Sequence, residues 1–135
     1  MFIKKVIDYS YNYATYIVSD GIHKIKCMCL SVPLPNNKEP QCGMEVIHVY
    51  AFSLDKIKIK KVVNERLKTY HISRSKIFSF EHKLRGKIID SKLSLVEVFG
   101  FIISLEFDYE YGLSDELKDG DYIEFKVDRL DCEII

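Results

Sequence analysis

The stretch from Gly120 to Asp131, Gly-Asp-Tyr-Ile-Glu-Phe-Lys-Val-Asp-Arg-Leu-Asp, constrains this chain more than any other. Asp119-Gly120 is a turn signal, because glycine takes a positive φ without a Cβ clash. Ile123, Phe125 and Val127 then alternate with Glu124, Lys126 and Asp128. Successive side chains of a strand point to opposite faces, so this pattern predicts a strand with one buried and one wet face. Past Asp128 the apolar set moves to Leu130, Cys132 and Ile134. That change of phase predicts either one extra residue at a β-bulge, with a bend that lets one strand serve two parts of a small barrel, or the end of the strand near Asp128.

The rest of the chain reads the same way. Phe2 to Ser19 is rich in Tyr and β-branched residues, and Asp20-Gly21 predicts the turn of a first hairpin leading into Ile22 to Leu30. Ser31 to Gly43 holds Pro33, Pro35 and Pro40 and reads as a loop, since proline lacks the amide a ladder needs. Met44 to Leu54 is a mainly apolar strand candidate. Leu93 to Tyr111 alternates strongly, with Phe99, Phe101, Ile103, Leu105, Phe107 and Tyr109 against Ser104, Glu106, Asp108 and Glu110. One helix is expected at 61–70, where Val63, Leu67 and Tyr70 form an apolar stripe.

At 135 residues and 47% hydrophobic, the chain is long and apolar enough for one folded domain spanning 1–135. No signal peptide or apolar span is visible, and Cys27, Cys29, Cys42 and Cys132 show no framework spacing. A cytoplasmic protein that does not enter a membrane is the expectation.

Landmarks recur. Val6-Ile7-Asp8, Gly21, Gly43 and Leu54-Asp55 are followed in the same order by Ile88-Ile89-Asp90, Gly100, Gly120 and Leu130-Asp131. This order predicts a pseudo-repeat over 1–60 and 76–135. The fold expected is all-β: a small antiparallel barrel, which the repeat would make a duplicated half-barrel, whose element order resembles OB-like (oligonucleotide/oligosaccharide-binding) or SH3-like barrels. The short helix would make it a β-rich α+β fold.

The chemistry-bearing residues are scattered. Cys27-Met28-Cys29 with Cys42, His23 and His48 lacks the paired spacing of a zinc site, and the cysteines read as small buried hydrophobes. No nucleophile elbow or phosphate loop surrounds Ser73 and Ser75 after His71. The sequence therefore predicts neither an enzyme nor a cofactor or metal.

Charge distribution carries more. The chain is neutral overall, yet residues 55–92 hold twelve basic and four acidic side chains, and 93–135 hold three basic and twelve acidic. Two surfaces follow. The first reading is a protein–protein role against a basic partner, through a carboxylate face of Glu106, Asp108, Glu110, Glu124 and Asp128. In general physical character this resembles bacterial immunity proteins, inhibitors that mask basic toxins. The second reading is a single-stranded nucleic-acid binder. It would use Lys24, Lys26, Lys56, Lys58 and Lys60 with the rest of the basic segment 56–87, where Arg66, Lys68, Arg74, Lys76, Lys83, Arg85 and Lys87 extend the face, beside a stacking platform of Tyr9, Tyr11 and Tyr13.

Overall fold

The computed structural model describes residues 1–9, 13–29, 39–54, 57–63, 71–72, 82–105, 113 and 116–134. Among them eleven strands form and no helix does: β1 (Phe2–Tyr9), β2 (Ala14–Ser19), β3 (Lys24–Cys29), β4 (Val46–Phe52), β5 (Ile59–Lys61), β6 (His71–Ile72), β7 (His82–Asp90), β8 (Leu95–Val98), β9 (Phe101–Ser104), β10 (Tyr122–Val127) and β11 (Arg129–Ile134). The protein is all-β. Its strands make one mixed sheet in the order β1-β2-β3-β11-β4-β9-β8-β7-β10-β5, with β6 on β7.

The alternation of Ile123, Phe125 and Val127 is realised as burial on one side of β10, at no more than 1% exposure each. They join Leu84 and Ile88 of β7, Val96 and Val98 of β8, and Phe101 and Ile103 of β9 in a single core cluster. Ile25 and Cys27 of β3 and Tyr16 and Val18 of β2 belong to the same cluster.

The change of phase sits at Asp128, where β10 ends and β11 begins; β10 keeps an unbroken register on β7 up to Val127, so the strand ends here and no bulge forms. Before it, β10 pairs with β7 and β5; after it, β11 pairs with β4 and β3. Val127 and Leu130, three positions apart, are both buried. The corner is fastened to the end of β4. The Asp128 amide donates to the Phe52 carbonyl at 2.9 Å, and its carboxylate accepts from the Leu54 amide at 2.8 Å and the Ser53 hydroxyl at 3.3 Å.

Two expectations need correction. Lys61, the first residue of the expected helix, ends strand β5 opposite Ile123, and the Val62 amide donates to the Tyr122 carbonyl. The alternation of Ile57 and Ile59 with Lys58 and Lys60 continues to the edge of β10, and inter-strand hydrogen bonds there outweigh a weak helical stripe. The remainder of that segment, 64–70, lies outside the described residues. The second correction concerns the run Leu93 to Tyr111, which is not one strand. Val98 pairs with Phe101 across a two-residue turn in which Phe99 has φ 52° and Gly100 has φ 90°. Two positive φ values are what a tight hairpin turn of this hand needs. Phe99 accepts a conformation uncommon for its residue type while its ring stacks on His23 at 4.7 Å. The alternation crossed this turn without a break because the hairpin returns Phe101 to the buried face.

At both flanks of the sheet the chain turns back on itself. β1 pairs with β2 and also meets the start of β4 through Phe2–Glu45, while β7 pairs with β8 on one edge and β10 on the other. Gly86, in the middle of β7, makes this crowding possible. A Cβ there would lie 2.4 Å from the Glu97 carbonyl oxygen, 2.7 Å from Val96 Cγ1 and 2.8 Å from Val98 Cγ2. Gly86→Ala is expected to lower stability by about 1–3 kcal/mol in urea denaturation, because the obstructing atom is backbone. An unchanged midpoint would show that β8 can move aside.

Candidate nucleic-acid interface

Three neighbouring strands bring five cationic side chains onto one face. In β5, β10 and β7, Lys60 lies opposite Glu124, which lies opposite Arg85. Tyr122 lies opposite Lys87, and Lys126 opposite Lys83. Directly opposed residues share a face, so Lys60, Lys83, Arg85, Lys87 and Lys126 surround Tyr122 and Glu124 on the side away from the core. Glu97 of β8, opposite Lys87, adds a second carboxylate.

The electrostatics of this face centre on Glu124. Its carboxylate takes Arg85 Nε at 2.5 Å and Lys83 Nζ at 3.1 Å. The Arg85 hydrogen bond, helped by Lys83, holds the carboxyl below the usual range. Lys87 Nζ stands 6.0 Å from the centroid of the Tyr122 ring. Along β7 the cations recur every second residue, about 6.7 Å apart, a spacing that suits successive phosphates of an extended strand. Lys83 opposite Lys126 is a like-charge pair, which costs stability in a sheet. Beside this face lies an open groove of about 510 Å³, lined by Lys60, Lys61, Val62 and Val63. Lys61 reaches Asp121 at 3.3 Å.

The carboxylates of the expected acidic face fare differently. Glu106, Asp108 and Glu110 lie outside the described residues. Glu124 is held by Arg85 and Lys83, and Asp128 is occupied at the corner after β10. The two described members thus serve the fold's own contacts.

The residues of the second reading are split. Tyr9 ends β1, Tyr13 precedes β2, and Lys24 and Lys26 lie on β3, so these four sit on consecutive neighbours. Tyr13 donates to Asp8 at 3.3 Å. Lys60 is on β5 with Lys58 just before it, at the far end of the strand order. Tyr11, Lys56, Arg66, Lys68, Arg74 and Lys76 lie outside the described residues. Lys126 and Tyr122 were missed. Their outward phase was legible in the alternation of β10, but the identity of the strands beside it was not.

The thiols and imidazoles do not assemble a reaction centre. Cys27 and Cys29 meet Cys132 where β3 runs parallel to β11, and all three are buried. Hydrogen bonding with Cys27, with burial added, pushes the Cys132 thiol well up. Burial likewise raises the Tyr16 phenol nearby. Thiolate is the reactive form, so these sulfurs act as packing. Exposed Cys42 donates to the Lys4 carbonyl. His23 pairs with Asp20 at 3.2 Å, and His48 with Glu133 at 3.0 Å. Among the described residues, no group of three His, Cys, Asp or Glu side chains is placed to hold a metal ion.

No family model, curated protein or solved structure matches this chain. Among the described residues no helix is long and apolar enough to cross a membrane.

Proposed function

We propose that this protein is a cytoplasmic, OB-like binding protein that holds single-stranded nucleic acid on the outer face of β5, β10 and β7. The observation that carries the reading is the grouping of five cations, Lys60, Lys83, Arg85, Lys87 and Lys126, around the exposed side of Tyr122. The strand paths support the barrel half of the proposal. A three-strand meander, β7-β8-β9, is followed by a strand that returns to β7, and β9 lies parallel to a further strand, β4. OB-like barrels have this order.

Lys83, Lys87 and Lys126 provide point charges for phosphates, and Arg85, tied to Glu124, stiffens the face between them. Tyr122 offers a ring on which a base stacks, the usual source of sequence-tolerant affinity. Neutralising about three phosphates gives a slope near −2 for log K against log salt. Fluorescence anisotropy with a labelled single-stranded oligonucleotide reads this directly. Lys87→Glu with Lys126→Glu should abolish binding while circular dichroism stays unchanged, and Tyr122→Ala should weaken it by about 1–3 kcal/mol. Lys24→Glu with Lys26→Glu should have little effect; loss confined to that pair would move the surface to β3. If no oligonucleotide binds in a salt-dependent way, the nucleic-acid reading is wrong, and the acidic-face reading from the sequence is the one to test next. A basic protein partner would then be captured by the wild type and lost on Glu106→Lys with Asp108→Lys.

A further inference from the structure

The two halves of the sheet share one hydrogen-bond plan. Phe2, Ile3 and Lys5 of β1 pair with Ser19, Val18 and Ile17 of β2, and the register slips between Ile3 and Lys5, with a further slip beyond this stretch between Val6 and Asp8. Lys87, Ile88 and Asp90 of β7 pair with Glu97, Val96 and Leu95 of β8, and the register slips between Ile88 and Asp90. Onward, Ser19, Val18 and Ile17 face Lys24, Ile25 and Lys26 of β3, as Glu97, Val96 and Leu95 face Ile102, Ile103 and Ser104 of β9.

A clasp of two hydrogen bonds recurs as well. The Gly43 amide donates to the Ile3 carbonyl and the Ile3 amide to the Met44 carbonyl, each at 2.8 Å. The Gly120 amide donates to the Ile88 carbonyl and the Ile88 amide to the Asp121 carbonyl, again at 2.8 Å. Both glycines have φ 90°. The pair Phe2–Glu45 next to the first clasp has its counterpart in Lys87–Tyr122 next to the second. Three buried positions matched in this register hold identical residues, Ile3 with Ile88, Val18 with Val96 and Ile25 with Ile103, none more than 1% exposed.

The order β1-β2-β3-β11-β4-β9-β8-β7 reads the same from either end when β1, β2, β3 and β4 are exchanged for β7, β8, β9 and β11. β3 runs parallel to β11 and β9 parallel to β4, while β4 and β11 pair antiparallel with each other. We infer that the chain is a strand-exchanged tandem duplication. Two units, residues 2–52 and 87–134, are related by a two-fold axis through the β4–β11 pair, and each meander is completed by the last strand of the other unit.

Glycine turns are common, but independent hairpins have no reason to share one bulge position, one clasp and one buried triplet in a common register. The exchange puts β4 and β11 in both units, so the two unfold together. Surface positions have diverged: Lys87 and Tyr122 match Phe2 and Glu45, which leaves the cationic face on the second unit alone.

A two-fold axis carries the span from the end of β4 to Lys87 in β7 onto the span from the end of β11 to Phe2, the start of β1. Residues 53–86 cover the first span, so a linker of similar length must cover the second. A circular permutant beginning at His82 tests this, with Ile135 joined to Met1 by a Gly/Ser linker of about 30 residues and the chain ending at residue 81. It should keep one cooperative urea transition with a midpoint close to the parent's. A control with the same linker, opened between Gly21 and Ile22, cuts inside a unit and should melt earlier. The inference falls if the His82 permutant is the less stable of the two, or if neither folds. Hydrogen exchange on the parent adds a test without rearrangement. The Gly43 and Gly120 amides should be lost in one shared global opening, and release of one half before the other would overturn the coupling.

Discussion

Phe125→Ala is expected to cost about 3–5 kcal/mol, a large part of the total stability of a domain this size. Phe125 is among the largest fully buried side chains, at 1% exposure, and its strand is flanked on both sides by β5 and β7. Opposite it on β7 is Leu84, also fully buried, so the lost ring cannot be replaced by collapse of a flexible surface group. Chemical denaturation with an unchanged m-value should report the loss as a shift in midpoint. A change below about 1 kcal/mol would mean that the cavity closes, or that the alternation of β10 was assigned to the wrong face.

Acidification is expected to remove about 3 kcal/mol through a single imidazole. His82 opens β7 and is fully buried. Burial lowers its pKa from 6.5 to about 4, against a hydrogen bond to the Lys26 backbone that pulls it up; the Lys26 ammonium pushes the same way as burial. A group whose folded pKa is depressed binds its proton more readily when unfolded. Stability is therefore fully present above pH 6.5, falls as pH drops from 6.5 to about 4, and levels off below. At 1.36 kcal/mol per pH unit that window accounts for the figure of about 3. The carboxyls of Asp20, Asp119, Asp121, Glu124 and Glu133 are lowered in the fold from ordinary values of 3.8 for Asp and 4.5 for Glu, so they act mainly below this window and add little within it. Stability of His82→Leu measured against pH should be flat between 6.5 and 4.5, whatever its absolute value. A slope equal to the parent's would assign the acid sensitivity to other groups.

Much of the fold was legible locally. Period-two burial in β10 and β11, the corner at Asp128 and the turns at Gly43 and Gly120 each depend on a few adjacent residues, and each appears where the pattern put it. Under the proposed duplication the recurring landmarks align differently from their order in the string. Gly43 and Gly120 occupy the same clasp, but Ile88 corresponds in register to Ile3, not to Val6. A bulge after Ile3 and a longer β1 hide that offset from any residue-by-residue comparison of the string.

The cationic face shows the opposite case. Glu124 reads in the string as one carboxylate among many, and only the pairing of β10 with β7 reveals that Arg85 and Lys83 claim it.

Sequence by itself determined which residues face inward and where the chain turns, because side-chain alternation and positive φ are properties of a few consecutive residues. Tertiary structure alone decided which strands are neighbours, since backbone hydrogen bonds between distant strands are made by groups that every residue carries. That choice set β11 between β3 and β4, brought β8 close against Gly86 of β7, and gathered lysines from three separate segments around Tyr122.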